Sequence, residues 1–314
     1  MRYGFGVDLG GTTVKLAYFD EIGTLLEKWE IPTVTDNGGS QILPDIAASI
    51  ADYLQKNKIA RQSVLGIGIG VPGPVCPDGK VNKCINLGWG VVNIEKELSA
   101  LTGCFVKAGN DATLAALGEC WKGGGQGCKN MVFATLGTGV GGGIVIDGNV
   151  VAGAHGAAGE IGHMVLNRKE TEACSCGKYG CVEQYCSATG IVRMAKQQLA
   201  KSDKESSLRT IETLTCKDVF DAAKEQDCVA VEVLEQVYAY MGEFLANICN
   251  VVDPEAVVLG GGVSKAGQPL LDGICRHFGK YVFHAVNSVR FSLAMLGNDA
   301  GVYGAFRVML LALS

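Results

Sequence analysis

The chain has 314 residues, enough for two domains and a large core. Apolar residues make up 48% and charged residues 19%, which excludes a disordered chain and a coiled coil. The formal charge of −5 argues against a nucleic-acid partner or a membrane surface, and no apolar run approaches the ~18 residues of a membrane span. Glycine occurs 44 times, about twice the usual ~7%, and needs a reason because it costs stability inside regular elements. The 13 cysteines fall short of a disulfide scaffold. No secretory leader opens the chain, so the expected location is the reducing cytoplasm, with thiols free or bound to metal.

In chain order, strands are expected over 3–7, 14–19 and 25–31, joined by turns rich in Gly, Asp and Thr. A helix over 42–56 follows, apolar at 42, 43, 46, 47, 50, 51 and 54. Next come a Gly-alternating strand at 64–71 closed by Pro72-Gly73-Pro74, a helix at 94–102, a strand at 104–108 and a helix at 112–122. The pattern then restarts with a strand at 130–136, a glycine turn at 137–143, a strand at 143–146, a hairpin turn at Asp147-Gly148 and a third strand from Val150. Two strand–turn–strand–turn–strand runs suggest a duplicated α/β fold. Helices over 186–201, 216–226 and 228–250, a buried strand at 256–259 and a final helix at 301–313 complete the chain.

Three glycine-rich turns follow strands, at 10–13, 137–143 and 260–262. Glycine lets backbone N–H groups approach an anion closely. One such turn would be an ordinary tight turn; three point to nucleotide phosphates. No P-loop sequence is present, and the two G-x-G-x-x-G matches, at 68–73 and 137–142, run into Pro and into a strand rather than a helix, so neither is a dinucleotide fingerprint. Gly/Thr hairpins between antiparallel strands resemble instead the phosphate clamps of the actin-like ATPase superfamily. Asp8-Leu9-Gly10-Gly11-Thr12-Thr13 looks like its first phosphate loop, Leu136-Gly137-Thr138-Gly139 its second, and Gly260-Gly261-Gly262-Val263-Ser264 its adenosine loop. The resemblance implies ATP with Mg2+, bound by Gly10, Gly11, Thr12, Thr13, Lys15, Gly137, Thr138, Gly139, Gly260, Gly261 and Gly262, with Asp8 orienting the Mg2+ through water.

Cys174, Cys176 and Cys181 form a C-x-C-x4-C run, too close in sequence to bridge one another without strain. Gly177 and Gly180 let the chain wrap a small ion, and tetrahedral zinc requires a fourth ligand. His163 is the nearest of the four histidines. Together they make a closed structural Zn2+ site; buried free thiols are the alternative. The other ten cysteines, and His155, His277 and His284, read as bystanders.

Gly159-Glu160-Ile161-Gly162-His163 followed by C-x-C-G-x-x-G-C resembles the signature of the ROK family (repressors, open reading frames and sugar kinases). The similarity runs over essentially the whole chain, through Val71-Pro72-Gly73-Pro74-Val75, Asn86-Leu87-Gly88-Trp89 and Gly109-Asn110-Asp111-Ala112. It implies a duplicated actin-like (ribonuclease H-like) ATPase fold in two α/β domains with a cleft between them, divided as 1–111 plus 299–314 and 112–298. It also implies ATP-dependent phosphorylation of the 6-hydroxyl of glucose, as in the glucokinases of Gram-positive bacteria. Another hexose (fructose, N-acetylglucosamine or N-acetylmannosamine) is the alternative within that class. A sugar-responsive regulator is the alternative outside it, disfavoured by the lack of room for a DNA-binding segment ahead of Asp8.

Asp111 stands where a strand meets a helix, and on the residues alone it suits a helix N-cap as well as a general base. The resemblance implies the base, taking the proton of the attacking hydroxyl. It likewise implies that Asn110, Glu160, His163 and Glu183 contact the sugar, and that Gly73 and Asn86 line its pocket. His163 would turn one ring nitrogen to zinc and the other to the sugar. A homodimer or homotetramer is expected from the family, with no nucleic-acid or membrane partner.

Overall fold

A computed structural model describes residues 2–314. Strands β1 (Tyr3–Leu9), β2 (Thr13–Asp20) and β3 (Leu25–Pro32) form an antiparallel meander. After the single turn α1 (Asp36–Gly39), helix α2 (Ile42–Lys56) buries Ile42, Leu43, Ile46 and Ile50, the spacing of one helix face. Strand β4 (Val64–Val71) joins β1 in parallel. A ribbon of β5 (Lys80–Val81) and β6 (Val92–Asn93) leads into α3 (Ile94–Thr102), capped by the Asn93 side chain. Strand β7 (Val106–Asn110) lies parallel to β4, and α4 (Asp111–Lys122) follows.

Strands β8 (Met131–Leu136), β9 (Val140–Ile146) and β10 (Asn149–Val150) begin the second half. Then come α5 (Glu183–Cys186), α6 (Ala188–Lys201), α7 (Cys216–Lys224) and α8 (Cys228–Val252). Helix α8 buries Val233, Val237, Met241, Phe244 and Ile248 along one stripe. Strand β11 (Ala256–Gly260), helix α9 (Gln268–Phe278), strand β12 (Arg290–Leu293) and helix α10 (Ala300–Leu313) end the order. One five-stranded sheet runs β3-β2-β1-β4-β7 and the other β10-β9-β8-β11-β12. In each, the fourth strand in chain order is parallel to the first and the fifth. The two sheets therefore share one topology, the duplication expected from the repeated pattern. Among the described residues no helix is long and apolar enough to cross a membrane.

Two compact units result: residues up to 129 with 143–159 and 295–314, and residues 130–142 with 160–294. This differs from a division at 111 and 299. Within the first unit, α4 and α10 approach backbone to backbone: a Cβ on Gly118 would overlap the Ala300 carbonyl, and one on Gly304 the Leu114 carbonyl. Residues 143–159 stay with that unit because Gly143 packs on Ala116 and Gly156 on the Val75 backbone. Gly68 in β4 has the same cause, since a Cβ there would overlap the Ala305 carbonyl of α10, as one on Gly6 would overlap that of Val302. Helix α9 and strand β12 lie where the sequence reading placed no element. The helix expected over 186–201 divides at Ser187, whose backbone is extended and whose side chain caps α6 on the Gly190 N–H. The third strand of the second meander shrinks to two residues, and β9 starts three residues before Gly143.

Candidate active site

In the first unit the junction of β7 and α4 places Asn110, and not Asp111, at the cap of the helix. The N-cap is Asn110: its Oδ1 accepts the Thr113 N–H at 3.0 Å and the Thr113 hydroxyl at 3.1 Å. Its Nδ2 donates to the Gly73 carbonyl at 3.1 Å and to Asp111 Oδ1 at 3.0 Å. Asp111 Oδ1 also accepts the Ala112 N–H at 2.7 Å, while among the described residues no hydrogen bond engages Oδ2. Burial pushes the Asp111 carboxyl up to about 6; the charge of Asp8 adds to this, and the Ala112 N–H and Asn110 amide oppose it. Asp111 is thus a partly desolvated carboxyl with one oxygen free, held by a neighbour that takes over the capping role. Gly73 contributes its carbonyl, which fixes Asn110.

Asp8, at the end of β1, pairs across the ladder with Lys15, whose Nζ lies 3.7 Å from its carboxylate and donates to the Asn298 carbonyl at 3.3 Å. Burial raises the Asp8 carboxyl and Lys15 opposes the shift. The turn after it is closed by the Gly10 N–H on the Thr13 carbonyl at 3.0 Å. Thr33 then ties down the carbonyls of Gly10 and Thr12, through its hydroxyl at 2.8 Å and its N–H at 3.0 Å. Gly11 faces open space. Asn86 lies exposed in a 3-10 turn over 85–87.

In the second unit, parallel pairing of β8 and β11 brings the turns at 137–139 and 260–262 together, with Gly261 packed on the Leu136 backbone and Gly137 and Gly262 facing open space. The Gly137 N–H closes the first of these turns on the Gly139 carbonyl at 2.9 Å. Glu183 Oε2 accepts the Val140 N–H at 3.0 Å, and Oε1 accepts the Ser175 hydroxyl at 2.8 Å.

His163, Cys174, Cys176 and Cys181 converge, with one donor atom from each within 4.8 Å of the others. The Sγ atoms of Cys176 and Cys181 are 3.7 Å apart, matching the ~3.8 Å between two sulfurs bound at ~2.3 Å to one tetrahedral centre. His163 presents Nδ1, 3.9 Å from Cys174 Sγ. Gly177 and Gly180 hold positive φ of 79° and 75°, which lets the chain fold back so that Cys174 N–H meets the Lys178 carbonyl at 2.7 Å. The donor set and its spacing fit a four-coordinate metal ion. Glu160, beside this cluster in sequence, is exposed.

The structure therefore brings Asn110, Asp111 and Gly73 together in one unit, and Glu183 with the Cys/His cluster and the 137–139 turn in the other. Sequence reasoning missed Ser175 and Thr189, whose hydroxyls hold Glu183 and, at 2.7 Å, the Thr138 carbonyl. Thr189 carried a faint signal, since Ser-x-Thr at a helix start marks side chains available for backbone bonding.

Comparison with known proteins follows the same lines. The ROK family matches residues 4–311. A glucokinase of Halalkalibacterium halodurans is 44% identical over 309 residues, which span 96% of this chain and 93% of that one. The crystal structure of the ROK hexokinase from Thermus thermophilus matches with a TM-score of 0.83 at 30% identity, over 99% of both chains. That of a ROK family glucokinase from Streptomyces griseus in complex with glucose and AMPPNP matches with a TM-score of 0.74 at 31% identity, over 98% of both chains. These likenesses bear out the duplicated actin-like fold.

Proposed function

The chain belongs to the ROK family, and on that premise we propose that it is an ATP-dependent glucokinase, transferring the γ-phosphoryl group of ATP to the 6-hydroxyl of glucose to give glucose 6-phosphate and ADP. The observation that carries this reading is Asp111, a carboxyl lifted to about 6 with its Oδ2 free, which suits proton removal near neutral pH. Asp111 takes the proton as the hydroxyl oxygen attacks in line. Asn110 holds Asp111 Oδ1 and so aims Oδ2. Glu160, His163 and Glu183 bind sugar hydroxyls, Oε2 of Glu183 keeping a lone pair beyond its bond to the Val140 N–H. Gly73 and Asn86 border the sugar.

The turns at 10–13, 137–139 and 260–262 offer backbone N–H groups to the nucleotide, with Lys15 beside the first. Asp8 would hold Mg2+, which neutralises phosphate charge when bound. The three thiolates and the imidazole of the cluster suit Zn2+ in a closed, structural site, where the bound ion would fix the His163 ring and the loop before Glu183. The reading includes a cytoplasmic enzyme of glycolysis acting as a homodimer or homotetramer.

The test is a coupled ADP-release assay with glucose, fructose, mannose, N-acetylglucosamine and N-acetylmannosamine. Glucose should give the strongest rate. A negligible glucose rate beside a strong one on another sugar would reassign the substrate, and ADP release indifferent to every sugar would overturn the kinase reading.

A further inference from the structure

The segment 181–189 begins at a metal-cluster cysteine and ends on the 137–139 turn. At its start, Gln184 Oε1 accepts the N–H groups of Gly180 and Cys181, at 2.8 and 3.1 Å. Glu183 then spans both ends. Its Oε1 takes the hydroxyl of Ser175, which sits between cluster ligands Cys174 and Cys176, and its Oε2 takes the Val140 N–H. At its far end, the Ala188 N–H donates to the Gly137 carbonyl at 2.8 Å, and the Thr189 hydroxyl to the Thr138 carbonyl at 2.7 Å. In a planar trans peptide, C=O and the following N–H point in opposite directions. Pinning the carbonyls of residues 137 and 138 therefore directs the N–H groups of Thr138 and Gly139 away from the segment, the orientation a bound phosphate needs.

We propose that this segment couples the metal cluster to the phosphate turn: Ser175 and Thr189 are positioning residues, and a filled cluster strengthens nucleotide binding through Ser175, Glu183 and Thr189. The proposal rests on the kinase reading above.

The test is the Kd of AMPPNP with Mg2+, by titration calorimetry, on the whole chain with metal content measured in parallel. Each lost hydrogen bond should weaken binding about 3- to 10-fold. That loss is expected for metal-loaded Ser175→Ala, for metal-loaded Thr189→Val and for chelator-stripped wild type, whereas Thr189→Ser restores wild-type affinity. Ser175 is exposed and is not a ligand, so Ser175→Ala keeps its metal and its fold. Stripping Ser175→Ala should then cost less affinity than stripping wild type, the remainder passing through Cys181 and Gln184. Unchanged Kd in both Ser175→Ala and Thr189→Val would overturn the coupling, as would an equal loss on stripping in Ser175→Ala and in wild type. A wild type that binds no AMPPNP in any state would overturn the kinase reading itself.

Discussion

The turns at 10–13 and 137–139 occupy the same place in two sheets of the same order, yet different parts of the chain hold them. In the first, β3 runs eight residues and the residue after it, Thr33, pins the carbonyls of Gly10 and Thr12. In the second, the corresponding strand β10 has two residues, and the 183–189 segment pins the carbonyls of Gly137 and Thr138 instead. Where the strand is short, a strap that begins at the Cys/His cluster braces the turn. Duplicated folds keep strand order because the core demands it, and they diverge in what braces the loops.

The first unit keeps its brace and carries Asp111, the proposed base, so its largest expected vulnerability is chemical. Asp111→Asn should lower kcat about 10²- to 10⁴-fold while sugar affinity, measured by fluorescence or calorimetry, stays within a few-fold; retention of a large share of kcat would remove Asp111 from its role. The same variant sharpens the comparison in stability. The Asp111 carboxyl is raised from 3.8 to about 6, so its protonated form stabilises the fold fully below 3.8, and this contribution is lost as pH rises through about 6. Denaturant unfolding should show Asp111→Asn more stable than wild type by about 3 kcal/mol at pH 8, with most of the gap gone near pH 4.

The second unit should fail through its metal. Cys176→Ala should lose the ion and raise the KM for glucose roughly tenfold, because the loop before Glu183 and the ring of His163 lose their anchor; unchanged kinetics in a metal-free variant would refute it. The smallest effect tests the contrast directly. Thr33→Val should weaken AMPPNP binding about 3- to 10-fold, equally with and without metal, because nothing in its brace leads to the cluster.

Much of this was legible in the sequence. The spans 42–56, 64–71 and 94–102 fold as expected because their apolar spacing and turn residues are local signals. The convergence of His163, Cys174, Cys176 and Cys181 was legible from their close spacing in the sequence. Helix α9 carried a readable stripe in Leu270, Leu271, Ile274 and Phe278, hidden among the glycines that flank it. Strand β12 alternates polar Arg290 and Ser292 and gives little sign of its pairing with β11. Whether Asp111 or Asn110 caps α4 turns on the carbonyl of Gly73, far away in sequence, and no local pattern decides that. The link from Thr189 to Thr138 and the need for glycine at Gly68 in β4 are likewise tertiary facts.

Helix α10 lies on β1 and β4 with no room for a side chain at Gly6 or Gly68, so elements some 300 residues apart in sequence meet in one core. During synthesis the first sheet must wait, one face uncovered, until residues 300–313 have been made, while the second unit, complete at residue 294, can condense earlier. The unit that carries Asp111 is therefore completed last during synthesis.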